Sequence, residues 1–173
     1  PGTNSQTIAK PKLTNKRIML CVWWDSQGII YYELLKSGET LNATKYCEQL
    51  DKLNEAIKRK RSILARSRKI ILQHDNARPH TAFVTQKKLS DLNWVALRHP
   101  PYSPDLAPSD FHLFRSLQNA LDDKKFQNQK QLEKFIVSFF ESKPKEFYKN
   151  GIENLFERWN NVIKNDGNYI LDF

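Results

Sequence analysis

The sequence has only two cysteines, Cys21 and Cys47, in 173 residues. That is too few for a disulfide-stapled scaffold, so both read as buried thiols of a reduced, intracellular protein. No apolar run approaches the roughly twenty residues that span a bilayer, and no secretory signal opens the chain. Internal repeats and low-complexity tracts are absent as well. His74, His80, His99 and His112 share no ligand spacing with the cysteines, which argues against a zinc site. Acids are in deficit: 19 Asp and Glu stand against 28 Lys and Arg, for a net charge of +9 and a pI near 9.5. That balance points to a polyanionic partner, and Lys58-Arg59-Lys60-Arg61 with Arg66, Arg68 and Lys69 is the densest basic cluster. An apolar content of 39%, with 10 Phe, 4 Trp and 6 Tyr, fits one globular domain rather than a disordered chain.

Along the chain, residues 1–15 are rich in Thr, Asn, Ser, Pro and Lys and read as an extended arm. Ile18–Trp24 and Ile29–Leu35 are β-type runs joined by the turn Asp25-Ser26-Gln27-Gly28, which predicts a hairpin. Asn42 is placed to N-cap a helix with Tyr46, Leu50, Leu53 and Ile57 on one face and a basic C-terminal end. Lys69–Gln73 reads as a short buried strand. Pro79 suits the first position of a helix running to about Asp91, and Trp94–Arg98 reads as another strand. Ser109 is expected to cap a helix bearing Phe114, Leu117 and Leu121. Asn128 is expected to cap one that turns Leu132, Phe135, Ile136 and Phe139 inward. A last helix carries Ile152, Leu155, Phe156, Trp159, Val162 and Ile163 and ends before Gly167. Hairpin, helix, strand, helix, strand, helices is an α/β order.

Two aspartates stand at the ends of rigid elements. Asp75 closes Ile70-Ile71-Leu72-Gln73-His74-Asp75, and Asp110 follows the proline-rich stretch from His99 to Ser109. Carboxylates held this way can share hard divalent cations, because Mg²⁺ takes oxygen ligands in octahedral geometry. Two such ions roughly 3.5–4 Å apart clamp the attacking and leaving oxygens of a phosphodiester displacement. In so basic a chain the pair points to nucleic-acid strand chemistry. Plainer roles exist: Asp75 as a turn acid at a strand end, and Asp110 as an acid favoured by a helix dipole. Asp25 resembles a third carboxylate, but it opens an Asp-Ser-Gln-Gly turn and belongs to turn chemistry. Asp105, in a proline-rigid loop, reads as another turn acid. Lys58 to Arg61 fit a solvated helix end and a DNA-backbone contact equally well. Asn76, Arg78 and His80, which flank Asp75, fit phosphate contact or loop shaping.

The segment His74-Asp75-Asn76-Ala77-Arg78-Pro79-His80-Thr81-Ala82, followed by Tyr102-Ser103-Pro104-Asp105-Leu106-Ala107-Pro108-Ser109-Asp110, resembles the catalytic core of the mariner transposases. Thirty-four residues lie between Asp75 and Asp110, as in the mariner aspartate triad. Trp23-Trp24-Asp25, Tyr31-Tyr32-Glu33-Leu34-Leu35, Gly38-Glu39-Thr40, Phe156-Glu157-Arg158-Trp159 and Asp166-Gly167-Asn168-Tyr169 extend the likeness over nearly the whole chain.

The resemblance implies a ribonuclease H-like core over residues 16–173, a mixed sheet flanked by helices. It implies cut-and-paste DNA transposition dependent on Mg²⁺ or Mn²⁺. A transposon end is freed by strand cleavage, and its 3′-hydroxyl then attacks a TA target. Asp75 and Asp110 would be the catalytic, metal-binding residues. With DNA as substrate, Lys58, Arg59, Lys60, Arg61, Arg78 and His80 become the expected DNA contacts. The family also implies a nuclear homodimer, with residues 1–15 as the remnant of an arm that reaches the partner.

The family's first aspartate, in a Gly-Asp-Glu-Lys-Trp-like context, has no counterpart in this sequence, nor do its upstream helix-turn-helix modules. The expectation is therefore a truncated catalytic domain whose sheet lacks its central first strand. With two of three carboxylates, it should cleave little DNA alone. The competing readings are a relic module that keeps DNA binding and self-association without cleavage, and a free-standing ribonuclease H-type nuclease.

Overall fold

The chain's first described elements are β1 (Leu20–Asp25) and β2 (Gly28–Leu34), the expected hairpin, with Val22 opposite Tyr32 and Asp25 opposite Gly28. They come from a computed structural model that describes residues 18–66 and 69–165. The N-terminal arm, Arg68 and the Asp166–Tyr169 motif lie outside the described residues. Gly28 closes the turn at φ +122°, a conformation that side-chain-bearing residues rarely adopt. A register shift between Trp23 and Trp24 marks a bulge. Strand alternation sends Leu20, Val22 and Trp24 to one face and Trp23 to the other.

The Trp23 face is covered by α1 (Ala43–Lys60). Asn42 caps it as expected, its side chain accepting from the Lys45 N–H at 2.9 Å. Tyr46, Leu50, Leu53, Ala56 and Ile57 form its buried stripe, and they meet Ile30, Leu89 and Trp94 in one core. After the short α2 (Ser62–Ala65), β3 (Ile70–Gln73) and β4 (Trp94–Leu97) pair in parallel, Ile70 beside Trp94 and Gln73 beside Leu97. Between them run α3 (Arg78–Thr81) and α4 (Phe83–Asp91). The hairpin's other face packs on α5 (Arg115–Leu121), α6 (Gln129–Ser142) and α7 (Lys145–Lys164), through Leu117, Ile136, Phe139, Phe140 and Tyr148. Asn128 caps α6 by accepting from the Gln131 N–H at 3.0 Å.

The strands form two two-stranded sheets, one antiparallel and one parallel, so both strand senses expected of the mixed α/β fold are present, divided between two small sheets. A ladder needs adjacent backbone partners, and among the described residues none joins β1 to β3. Two-stranded ribbons are marginal in water by themselves, so both depend on the helices packed over them.

Two local expectations are corrected. The single helix from Pro79 to Asp91 is broken at Ala82, whose ψ of 145° is extended. The buried Thr85 hydroxyl donates to the Pro79 carbonyl at 2.6 Å, occupying an acceptor that a continuous helix would give to a backbone N–H. Ser109 does not cap its helix. It lies inside a π-helical turn, Ser109–Phe114, that follows a 3₁₀ turn at Pro104–Leu106. Of the apolar residues carried by α7, Leu155 is buried, whereas Phe156 and Ile163 are exposed.

Candidate active site

Parallel strands deliver their C-terminal ends to the same edge, and ligands in α/β folds gather outside those ends. Asp75 lies two residues beyond β3, and the loop after β4 begins at Arg98. Asn76 Nδ2 donates to the His99 carbonyl at 2.8 Å, binding the two loops together. Gln73 Nε2 donates to the Leu106 carbonyl at 2.7 Å, which draws in the turn that leads to Asp110. Asp110 follows at once, in the π-helical turn, with its N–H donated to Ala107 O at 2.8 Å. Isolated π turns recur at functional sites.

The two carboxylates sense each other. Burial pushes the Asp110 carboxyl up, and the nearby charge of Asp75 adds to this, with His99 opposing. Asp75 moves the other way. Burial would raise it, but the Ala77 N–H at 3.0 Å and the His80 ring together outweigh that and hold it below the usual carboxylate range. His80 Nδ1 lies 2.6 Å from Asp75 Oδ1. The His80 ring stacks on His74 at 4.9 Å between centroids and nearly parallel, and Tyr46 Oη is 2.9 Å from His74 Nδ1. Burial, then the neighbouring His80, lowers His74 to about 4, so this ring is neutral near pH 7. Asp75 is therefore backed directly by the His80 ring, and behind that by a neutral His74.

The Asp110 turn is held from two sides. Trp24 Nε1 donates to Ser109 Oγ at 3.0 Å, and the Trp24 ring stacks on His112. From α7, the Arg158 guanidinium lies 4.3 Å from the Phe111 ring centroid and donates to the Asp105 carbonyl. The sequence reading missed both supports. Strand alternation through Trp23-Trp24 was the available signal, since it places one indole on each face.

The expected DNA contacts divide. Lys58, Arg59, Lys60 and Arg78 are exposed. Lys58 pairs with Glu55, and the Lys60 ammonium donates to the Ile30 carbonyl at 2.7 Å. Arg61 is different: its Nε and Nη2 bind Asp25 at 2.8 and 3.0 Å, and Nη2 also reaches the Gly28 carbonyl. Its donors close the hairpin turn, where a bidentate carboxylate matches the guanidinium fork. Asp25 also accepts from the Gln27 N–H at 2.9 Å, as a turn acid should. His80 is spent on Asp75. Along α1 the basic end lies fourteen residues from Tyr46, roughly 21 Å at the helical rise, so it does not adjoin the carboxylates.

Among the described residues no group of three or more His, Cys, Asp or Glu is arranged to hold a metal ion. A groove of about 320 Å³ between α1 and α4, lined by Cys47, Val84, Lys87 and Asp91, takes in neither Asp75 nor Asp110. No helix of the described residues is long and apolar enough to cross a membrane.

Comparison with known proteins agrees with this geometry. A family model described as "Transposase (partial DDE domain)" matches residues 1–67. The mariner Mos1 transposase of Drosophila mauritiana is 46% identical over 171 residues, covering 98% of this chain and 50% of the relative. Human histone-lysine N-methyltransferase SETMAR is 41% identical over 160 residues, covering 92% of this chain and 23% of the relative. The chain thus spans about half the length of the first and under a quarter of the second. A solved structure of the Mos1 transposase catalytic domain with raltegravir and Mn superposes with a TM-score of 0.87 at 49% identity, covering 90% of this chain and 78% of that one.

Proposed function

Because the chain belongs to the mariner transposase family, we propose that it is the catalytic-core part of such an enzyme, acting in metal-dependent DNA strand cleavage and in strand transfer at TA sites. The observation that carries this reading is the pairing of Asp75 and Asp110 beyond the parallel strands, each held by its own hydrogen-bonded scaffold. Their chemistry fits Mg²⁺ or Mn²⁺. Both offer hard carboxylate oxygens, and Mg²⁺ is often held by only one or two protein carboxylates, with waters completing its shell. The Mn in the solved Mos1 catalytic domain supports the same choice. When bound, such ions neutralise charge on the reacting phosphate. The chain's own contribution is to keep Asp75 ionised and aimed. The Ala77 amide and His80 both engage Oδ1, leaving Oδ2 as the ligand oxygen. Asp110 would be held more firmly as a carboxylate once a cation offsets its repulsion from Asp75.

Exposed Lys58, Arg59, Lys60 and Arg78 would contact phosphates, Arg78 close to the chemistry and the others further along the duplex. Residues 16–173 would form the core, residues 1–15 the arm toward a second copy, and the assembly would be a nuclear homodimer on transposon-end DNA.

A second reading is a module that keeps DNA binding and self-association without cleavage. The 41% identity to a protein named as a histone methyltransferase favours it. One experiment separates the two. Exchanging the matching segment of the Drosophila mauritiana transposase for these 173 residues should give a chimera that cleaves transposon ends with Mg²⁺ or Mn²⁺, and Asp75→Ala or Asp110→Ala should abolish cleavage. A folded but inactive chimera supports the non-catalytic reading, and one that stays active with both substitutions defeats the metal-pair assignment.

A further inference from the structure

Tyr102 is fully exposed, the most exposed large apolar side chain among the described residues. Its backbone is also unusual, with φ at +55°, a left-handed conformation that a bulky residue seldom adopts. Nothing about the loop suggests a side chain left outward by slackness. Tyr102 sits between Pro101 and Pro104, and the neighbouring Ser103 is buried at 2% exposure with its hydroxyl donating to the Pro101 carbonyl at 3.1 Å. The backbone therefore holds the ring out into solvent from a stiff support.

Both ends of this loop adjoin the carboxylates. His99 receives the hydrogen bond from Asn76, the residue after Asp75, and the loop closes on Leu106, held by Gln73, just before Asp110. Tyr102 is three positions along the chain from His99, and extended chain spans at most about 3.6 Å per residue. The ring's anchor is thus within about 11 Å of the Asp75 loop, a distance of a few nucleotides. In a chain of net charge +9, a rigid, exposed aromatic beside phosphate-directed carboxylates has one well-matched ligand, the face of an unpaired base.

We propose that Tyr102 is a stacking platform for an unpaired nucleobase next to the scissile phosphate, positioning the strand end relative to Asp75 and Asp110. This rests on the DNA-processing reading above and adds to it the form of DNA the site prefers. Inside a paired duplex each base face is covered by its stacked neighbours, so the platform favours frayed or single-stranded ends over intact duplex.

The test uses the 173-residue chain and two probes, a blunt duplex and the same duplex with a single-stranded tail, followed by fluorescence anisotropy at low salt. The chain should prefer the tailed probe. Tyr102→Ala should lose about five- to a hundredfold in affinity for the tailed probe, the range of one base–aromatic stack, with blunt-duplex binding unchanged. Tyr102→Trp should restore the preference. Tyr102→Gly supplies an independent sign: glycine relieves the positive φ and should raise Tm, while still losing the tail preference. If the chain binds both probes in a salt-dependent way but Tyr102→Ala changes neither, the platform is wrong and the DNA reading stands. If Tyr102→Ala weakens both probes equally, Tyr102 is a general contact and the proposal fails. If the unsubstituted chain binds neither probe, the DNA reading fails and takes the platform with it. Tyr102→Ala abolishing self-association while leaving tailed-probe binding intact would assign the ring to a protein contact instead.

Discussion

The indole Nε1 of Trp24 and the hydroxyl of Ser109, 85 positions apart in sequence, form a 3.0 Å hydrogen bond that ties the hairpin to the turn carrying Asp110. Ser109→Ala removes the acceptor and strands a partly buried donor, so stability should fall by about 1 kcal/mol. Trp24→Phe alone should cost more, because it also loses the stack on His112. In urea unfolding, the double variant should be less destabilised than the sum of the singles, with a coupling of about 1 kcal/mol. Simple additivity would show that the bond carries no weight.

Gly151 lies within α7, where alanine would ordinarily stabilise a helix by about 1 kcal/mol. Here the sign reverses. A Cβ at this position would overlap the His112 ring and come within 2.9 Å of the Trp24 indole. Gly151→Ala should destabilise by roughly 1–3 kcal/mol through overpacking. A raised Tm would mean that His112 and Trp24 can yield, and that the packing behind the Asp110 turn is looser than described.

Arg59 and Arg61 are two residues apart, yet substitutions should separate them. Arg61→Ala breaks the bidentate contact with Asp25 and should cost about 1–3 kcal/mol of stability with little effect on DNA affinity. Arg59→Ala, on an exposed helix end, should leave Tm unchanged, weaken binding equally across duplex sequences and lower the salt slope by about one. Melting curves and salt-dependent anisotropy on both variants check this; equal DNA losses would return Arg61 to the contact surface.

Acid lability should centre on Glu33. Burial alone would raise its carboxyl, but hydrogen bonds from Tyr31, Lys45 and Lys52 outweigh burial and lower it to about 2 from an ordinary 4.5. A depressed folded-state value means that this contribution is fully present above about pH 4.5 and is lost as pH falls toward 2. Tm measured across that window should drop more steeply for the parent chain than for Glu33→Gln. Parallel curves would place the acid sensitivity elsewhere.

What the sequence made legible is what short-range chemistry decides. Asn42 and Asn128 each cap a helix through the N–H three residues on, and the apolar spacing of α1 follows directly into its buried face. The edges of β3 and β4, and the loops that carry Asp75 and Asp110, also follow from local runs. The parts that were not legible depend on residues far apart in the chain. Arg61 looked like one more base in a cluster because its partner, Asp25, is 36 positions away. Ser109 looked like a cap because the indole it accepts from lies in the first strand. The break at Ala82 needed Thr85 to take the Pro79 carbonyl, a competition between side chain and backbone that propensity does not register. The division into two small sheets reflects strand neighbours, which alternation within one strand cannot specify.

The central claim is that Asp75 and Asp110 together form a divalent-cation site. Amide-resolved NMR of the chain with substoichiometric Mn²⁺ tests it most directly, because paramagnetic broadening reports even weak binding by position. Broadening should centre on Asn76, Ala77, Asp110 and Phe111, recede when Mg²⁺ is added in excess, and disappear in Asp75→Ala/Asp110→Ala. Broadening centred elsewhere, or unchanged by the double substitution, would contradict the account.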